Sequence, residues 1–312
     1  MADIRKVATR QSYGEALVEL GAAHDDFVVL DADLAVATQT SKFKAAYPDR
    51  FIDVGIAEQN LMGVAAGIAT TGRKVFASTF AMFAAGRAFE QVRNSIGYPH
   101  LHVVIGATHA GISVGEDGAT HQCNEDLALM RAIPGMTVIV PADDVEAKAA
   151  VRAAYEAEGP VYVRLGRLPV PVIHKDDYHF ELGRGIVERE GSDVTVVACG
   201  LEVSAALEAA KMLVDKGLSC EVINMATIKP LDGDLIVASA RKTGRVVTVE
   251  EHSVIGGLGS AVCDLLCEAC PTPVKKVGVN DVFGESGPAL DLLAKFGLDG
   301  AGVAEAIEGF VR

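Results

Sequence analysis

Tryptophan is absent from this chain of 312 residues, and aromatic residues make up only 5% of it. Basic residues are also scarce, with 28 lysines and arginines against 42 aspartates and glutamates, so the formal net charge is −14. No block rich in Lys and Arg interrupts this acidic balance. The charge therefore argues against nucleic acid or an anionic membrane surface as the main partner.

Long apolar runs are absent as well. No segment approaches the ~18 consecutive apolar residues that a membrane-spanning helix needs. The N-terminal segment has charges from Asp3 onward and no apolar centre, so it does not have the pattern of a signal peptide. We expect a cytoplasmic protein in which Met1 stands directly before the first helix, with no upstream domain removed.

Cysteine is present at six positions, but its spacing does not predict a metal site. Cys263, Cys267 and Cys270 fall at i, i+4 and i+7, which places them on one stripe of a helix. No histidine or further cysteine lies close in sequence to complete a ligand set. We therefore predict buried thiols that act as small hydrophobic side chains, without disulfides.

The composition and length predict two domains. Half of the residues are hydrophobic, and the length of 312 residues exceeds that of one typical domain. Short apolar runs alternate with amphipathic segments along the whole chain, which indicates two α/β layers. A segment of Pro, His and charged residues divides them, so we place a first domain at 1–170, a linker at 171–182 and a second domain at 183–312.

Several local features have ordinary interpretations. The run from 79 to 97 is predicted as one helix, and plain solvated charges are one interpretation of Arg164 and Arg167. His174 and His179 in the linker are predicted to face solvent without a specific role. The cluster Glu250–Glu251–His252 is interpreted as a turn leading into a helix.

The stretch from 104 to 126 contains the strongest signal for function. An apolar run from Leu101 to Gly106 reads as a buried strand, and a loop with many glycines follows it. The loop contains His109, His121 and the adjacent carboxylates Glu116 and Asp117. Open α/β sheets bind ligands at the carboxyl ends of their strands, so this loop is a candidate site. The alternative is a long surface loop with incidental histidines.

The same loop resembles a known family. Its sequence THAGISVGEDGATHQ is similar to the substrate loop of transketolases, whose usual form is THDSIGVGEDGPTHQ. The resemblance extends over nearly the whole chain, which is similar to the C-terminal half of a transketolase, a thiamine diphosphate enzyme. It implies two parallel-type α/β sandwich domains, a pyrimidine-binding domain and a smaller transketolase C-terminal domain.

Further motifs imply a cofactor site. In GIAEQN, Glu58 taken by itself is explained by the helix dipole, which favours a carboxylate in the first turn of a helix. In the family, however, this glutamate bonds the cofactor's aminopyrimidine ring and activates the cofactor. STFAMF is similar to STFLMF, whose phenylalanines pack on the pyrimidine, so Phe80 and Phe83 take that role. Asp33 matches the aspartate of S-A-D-L beside the cofactor. Gly86 replaces a usual tyrosine.

The resemblance also implies a sugar phosphate site. Asp117 and His121 would contact sugar hydroxyls, while His109, Arg10 and Arg167 would bind the phosphate end. Arg10 matches the arginine of A-T-R, and Arg167 matches the arginine of S-R-Q-N-L-P. An arginine suits phosphate because its fork is bidentate and always charged. Transketolases often have a phosphate-binding serine where this chain has Ala37.

The motif that binds the cofactor's diphosphate and Mg²⁺ is not found in this sequence. The family places GDG, followed by an asparagine, in its other half, and LDGDLIVASARK near Gly233 lacks the second glycine and a suitable asparagine. We therefore expect an N-terminal partner subunit that holds the diphosphate and Mg²⁺. The predicted assembly is α2β2, with active sites between subunits.

The implied reaction transfers a two-carbon ketol unit from a ketose phosphate to an aldose phosphate through a dihydroxyethyl group on thiamine diphosphate, as in the pentose phosphate pathway. Three alternatives stay open. One is the C-terminal part of a 1-deoxyxylulose-5-phosphate synthase-like enzyme, and another is the beta subunit of a 2-oxo acid dehydrogenase. The third is a non-catalytic binding module.

Overall fold

The computed structural model describes residues 5–312. Its N-terminal half contains strands β1 to β8 and helices α1 to α7. The strands are β1 (Lys6–Val7), β2 (Phe27–Asp31), β3 (Phe51–Asp53), β4 (Lys74–Phe80), β5 (Val103–Thr108), β6 (Thr137–Ile139), β7 (Val161–Arg164) and β8 (Val170–Pro171). The helices are α1 (Thr9–Ala23), α2 (Ala35–Thr38), α3 (Ser41–Ala46), α4 (Glu58–Ala69), α5 (Phe89–Gln91), α6 (Asp126–Arg131) and α7 (Asp144–Glu156). The expectations for Met1 and Asp3 lie outside the described residues.

The C-terminal half continues the alternation of strand and helix. Its strands are β9 (Ile186–Arg189), β10 (Val194–Ala198), β11 (Cys220–Asn224), β12 (Thr227–Lys229), β13 (Val246–Ser253) and β14 (Val274–Val279). Its helices are α8 (Glu202–Val214), α9 (Gly233–Thr243), α10 (Leu258–Ala269), α11 (Ala289–Lys295) and α12 (Gly300–Val311). Among residues 5–312, no helix is both long and apolar enough to cross a bilayer.

Two large sheets organise the described chain. The first has the strand order β12-β6-β7-β5-β4-β2-β3, and the second has the order β14-β13-β10-β11-β9. Neighbouring strands are parallel except at one edge of each sheet, where β12 and β9 are antiparallel to their neighbours. The predicted two-domain α/β fold is confirmed, with mixed sheets in place of purely parallel ones.

Burial of both faces explains the apolar strand sequences. Every residue of β5 is buried, as expected for the centre of a parallel sheet covered by helices on both sides. Gly106 lies within this strand, which continues to Thr108, two residues beyond the predicted apolar run. A Cβ atom there would lie 2.3 Å from the Tyr13 hydroxyl oxygen, so close packing of α1 against β5 accounts for the glycine.

The segment predicted as one helix from 79 to 97 is interrupted. Strand β4 continues to Phe80, and π-helical turns at Phe83–Arg87 and Val92–Gly97 flank the short helix α5. π-helical turns are rare and frequently occur at functional sites. Here the first of them places Arg87 toward α4, where it bonds Glu58.

Three further predictions are wrong. The His174 side chain is only 4% exposed because Asp143 and Glu188 surround it, whereas His179 is exposed as predicted. Arg164 is buried against Asp126 and is not a solvated charge. The cysteine stripe is not uniformly buried, since Cys267 is exposed and both Cys263 and Cys270 are partly exposed.

Candidate active site

The candidate site lies where the loops after four neighbouring strands meet. Strands β2, β4, β5 and β7 are adjacent and parallel, so their carboxyl ends share one edge of the first sheet. The loop after β5, residues 109–124, is called the central loop below. Its position at this edge agrees with the general location of ligand sites in open α/β sheets.

Aromatic rings form the centre of the site. Phe80 and Phe83 stack with ring centroids 5.6 Å apart and an interplanar angle of 15°. His109 stacks on Phe80 at 3.8 Å, and the His121 ring lies edge-on to Phe83 at 5.5 Å. Phe80 at the end of β4, Phe83 in the π-helical turn that follows, and two histidines of the central loop therefore form one cluster.

A buried carboxylate lies on the Phe83 side of this cluster. Glu58 is 2% exposed in the first turn of α4, and both of its oxygens accept hydrogen bonds from Arg87 Nη1, at 2.9 and 2.8 Å. The Arg87 guanidinium also lies over the Phe83 ring, 4.5 Å from its centroid. The ring and the carboxylate are thus linked by one arginine.

His109 is held as a neutral imidazole. It is 3% exposed, and its Nδ1 lies 2.9 Å from the Thr108 hydroxyl oxygen. Burial, together with the positive charges of Arg10 and Arg167, lowers the pKa of His109 to about 3. The neutral ring can therefore donate one hydrogen bond and accept another near pH 7. The positive charge in this part of the site comes from Arg10 and Arg167.

Arg10 and Arg167 lie near each other at the outer end of the site. Arg10 Nη1 donates to the Ala37 carbonyl at 2.8 Å and lies 3.4 Å from His109 Nε2. Burial, and then the charge of Arg167, lowers the pKa of Arg10. An anion bound between these two guanidinium groups would be attracted by both positive charges.

Arg167 also orders the exposed part of the central loop. It donates to the Val114 carbonyl, and it lies 3.4 Å from a Glu116 oxygen and 3.8 Å from an Asp117 oxygen. The Asp117 side chain is 44% exposed, so the carboxylate is available to a ligand.

The two aspartates at the end of β2 differ in role. Asp31 is buried and accepts hydrogen bonds from the Leu34 amide and from the hydroxyls of Thr38 and Thr40. Burial raises the pKa of Asp31 to about 6. Asp33 is exposed, in a left-handed backbone conformation with φ of 60°, and its amide donates to Asp53.

Two clefts open beside these residues. One, of about 660 Å³, is lined by Phe83, Arg87 and Thr120, and by residues 281–284 of the second domain. The other, of about 570 Å³, is lined by Arg10, Arg167 and residues 288–291. Both clefts therefore have walls from the two domains.

Sequence reasoning missed several residues of this site. Arg87 contacts Glu58, Gln122 links the central loop to Glu285, and Glu251 contacts Ser113 of the central loop. The two residues of each pair are far apart in sequence. The Glu250–Glu251–His252 cluster lies on strand β13, and the turn that leads into α10 follows it at residues 254–256. Glu250 accepts from two amides at the start of α10, while Glu251 and His252 accept from amides of Ser113 and Leu127.

Comparison with known proteins gives consistent matches. Residues 5–172 match the family model of the transketolase pyrimidine-binding domain, and residues 183–303 match that of the transketolase C-terminal domain. A Methanocaldococcus jannaschii protein named as a transketolase C-terminal section is 50% identical over 301 residues, 96% of this chain and 94% of that protein. A Clostridium protein named as a 6-deoxy-6-sulfo-D-fructose transketolase subunit is 44% identical over 297 residues, 95% of this chain and 92% of that protein.

Human transketolase is 39% identical over 310 residues, which are 98% of this chain but 49% of the human protein. A solved structure described as a split-gene transketolase in an inactive β4 tetramer superimposes with a TM-score of 0.91 at 59% identity. That match covers 97% of this chain and 98% of the other.

The fold and the matched family models therefore define a two-domain α/β protein that combines a transketolase pyrimidine-binding domain with a transketolase C-terminal domain. The chain belongs to the transketolase family, and it corresponds to the C-terminal section of the full-length enzymes. The family resemblance identified in the central loop is confirmed.

Proposed function

We propose that this chain is the C-terminal subunit of a split transketolase, which transfers a two-carbon ketol unit from a ketose phosphate to an aldose phosphate. The observation that carries the proposal is the convergence of Glu58, the Phe80–Phe83 pair and His109 at one edge of the first sheet. Since the relatives described above are transketolases, we favour this function over the synthase, dehydrogenase and binding-module alternatives.

The residues at the centre of the site fit the aminopyrimidine ring of thiamine diphosphate. Phe83 and Phe80 offer stacked aromatic faces, and Glu58 offers a buried carboxylate beside them. Glu58 would hold a proton at the ring nitrogen, and exposed Asp33 would lie beside the cofactor. When bound, thiamine diphosphate supplies the nucleophilic carbon and the electron sink for cleaving a bond next to a carbonyl.

The outer part of the site fits a sugar phosphate. Asp117 and His121 would bond sugar hydroxyls, and the neutral His109 would orient the polar end of the substrate. Arg10 and Arg167 would bind the phosphate in the cleft of about 570 Å³. Fixed cationic donors suit a phosphate dianion because they bond it and neutralise its charge.

The catalytic assembly would need a second polypeptide. Within residues 5–312, no cluster of three His, Cys, Asp or Glu side chains could hold a metal ion. We propose that an N-terminal transketolase subunit contributes the diphosphate site and Mg²⁺ in an α2β2 assembly. The exposed apolar side chains of Val36 and Ile56, each 78% exposed, flank Asp33 and Glu58 and would contact that subunit. The solved relative is described as inactive when it is a β4 tetramer, which supports this division.

A second candidate function differs from the first in its donor sugar. The relative named for 6-deoxy-6-sulfo-D-fructose is 44% identical, and Ala37 stands where transketolases often have a phosphate-binding serine. A sulfonated donor in place of the ketose phosphates of the pentose phosphate pathway is therefore the alternative substrate. Parallel assays with both donors would distinguish them.

The test begins with the partner. A pull-down from source cells should recover a separate chain that contains GDG followed by an asparagine, and the reconstituted pair should transfer ketol units. In that assembly, Glu58→Ala should lower kcat by about 100-fold or more, as expected for loss of an acid–base group. Glu19→Ala is the matched control because Glu19 is half exposed. Full activity of Glu58→Ala would contradict the assignment.

A further inference from the structure

The second domain contacts the central loop directly through one buried amide. Gln122 is 3% exposed, and its Nε2 donates to the carbonyls of Ile112 at 3.1 Å and Gly115 at 3.3 Å. The same nitrogen donates to the Glu285 carbonyl of the second domain at 2.8 Å. One side chain therefore ties two points of the central loop to the segment that precedes α11.

Close packing accompanies these hydrogen bonds. A Cβ atom built on Gly284 would lie 1.8 Å from Gln122 Oε1, and one built on Gly118 would lie 2.3 Å from Ser286 Oγ. Gly115 approaches the Gly287 carbonyl in the same way, with 3.3 Å between that oxygen and a built Cβ. Residues 284–287 thus fit against the central loop with no space for an added methyl group at Gly284.

A second contact lies nearer the start of the central loop. The buried carboxylate of Glu251 accepts a hydrogen bond from the Ser113 amide, and it occupies the position where a Cβ atom of Gly111 would be. Arg164 donates to the Glu251 carbonyl at 2.9 Å and to the Cys123 carbonyl at 3.2 Å. The loop is therefore held by the second domain at both of its ends.

Asp117 and His121 lie between these two contacts. Asp117 is partly exposed, and its charged neighbour Arg167 is 3.8 Å away, so the side chain itself is only weakly restrained. The direction of the Asp117 side chain therefore depends on the backbone of the central loop, which residues 284–287 and Glu251 hold in place. A misplacement of about 1 Å at such a site can cost about 100-fold in rate.

We propose that residues 284–287 and Glu251 of the second domain are positioning residues, which hold the central loop in the conformation that presents Asp117 and His121 to the sugar. This inference rests on the proposed function for the identity of the ligand. It gives the second domain a part in setting kcat/KM for the donor sugar.

The test uses Gly284→Ala in the full chain. The alanine backbone is ordinary there, but its Cβ would lie 1.8 Å from Gln122 Oε1, so the Gln122 amide must shift. That shift should weaken the contacts of Gln122 Nε2 to the Ile112, Gly115 and Glu285 carbonyls. Gly309→Ala is the matched control, because Gly309 lies on α12 with no atom within 4 Å of a built Cβ. Hydrogen exchange of the isolated chain should be about tenfold faster at residues 112–122 in Gly284→Ala, and unchanged in the control.

The reconstituted enzyme gives the second readout. The kcat/KM for the donor ketose should fall about 10- to 100-fold in Gly284→Ala, with thiamine diphosphate affinity and subunit association at wild-type values. Wild-type exchange rates in Gly284→Ala, or an activity loss that is matched by loss of cofactor affinity, would overturn the inference. If Gly284→Ala does not fold, Gln122→Met is the second variant, because it removes the amide hydrogen-bond donors of Gln122 at a similar side-chain volume. Hydrogen exchange and kcat/KM then test the inference in the same way. Absence of ketol transfer by the wild-type pair would refute the proposed function and leave the exchange result standing.

Discussion

At the scale of single residues, Arg87 stabilises the buried Glu58 carboxylate by hydrogen bonds. The Glu58 carboxylate is buried, and Arg87 is its side-chain partner among the described residues. The arginine side chain is half exposed, so solvent screens part of the interaction. Removing it would nevertheless leave a buried carboxylate without its donor, which is costly in a folded protein.

Arg87→Met should therefore lower the free energy of unfolding by about 1–2 kcal/mol. Urea unfolding of the isolated chain measures this change. Arg87→Lys should recover part of the loss because it retains the charge but not the planar guanidinium. Arg93→Met is the matched control, since Arg93 is exposed and its side chain donates to the neighbouring Asn94. An equal effect of the two methionine variants would show that the contact to Glu58 contributes no stability.

At the scale of elements, the linker between the domains is held by a buried charge cluster. His174 Nδ1 lies 3.1 Å from Asp143, which also caps α7, and Nε2 lies 2.9 Å from Glu188 on β9. Glu146, Tyr178 and Asn224 face the same cluster. Burial opposes the charge of His174, but the hydrogen bonds to Asp143 and Glu188 outweigh it and raise the pKa of His174 to about 10.

The raised pKa predicts a stability that depends on pH. Protonated His174 contributes fully below its unfolded pKa of 6.5, and the contribution disappears as the pH rises through about 10. His174→Gln should thus cost about 2 kcal/mol near pH 6 and much less above pH 10. Denaturant unfolding across this range measures the difference, with exposed His179→Gln as the control from the same segment. A constant difference between wild type and His174→Gln would contradict the charge assignment.

At the scale of the whole molecule, the two sheets share one apolar core and one buried ion pair. Val138 and Tyr162 of the first sheet belong to the same core cluster as Val197 and Ile223 of the second. Arg164 bonds Asp126 at 2.9 Å and also reaches the second domain. Charges buried at such a junction are costly when one partner is removed.

Arg164→Met should destabilise the chain by about 3–5 kcal/mol because Asp126 would remain buried and unpaired. The double variant Arg164→Met/Asp126→Asn should recover part of this loss, since it removes the uncompensated charge. Calorimetry of wild type and both variants gives the comparison. Arg152→Met removes an exposed ion pair with Glu19 and should cost less than about 1 kcal/mol. A similar cost for Arg152→Met and Arg164→Met would show that burial of the pair has no energetic consequence.

The sequence was sufficient for the fold class and the family. Apolar strands such as β5 and the periodic helix α7 are local patterns, and THAGISVGEDGATHQ, GIAEQN and STFAMF are contiguous motifs. The domain boundaries at 170 and 183 and the roles of Glu58, Asp117 and His121 stay predictions. Interpretations of single charged residues were less successful, because the exposure of Arg164 or His174 depends on elements far away in sequence.

By itself, the sequence determined that this chain is the C-terminal section of a transketolase-family protein, because local residue order specifies strands, helices and contiguous motifs. The tertiary structure decided which side chains meet. It brought Arg87 to Glu58 across 29 positions and Glu251 to Ser113 across 138 positions. Such contacts depend on strand order and on the packing of the two domains, which no short segment of the chain encodes.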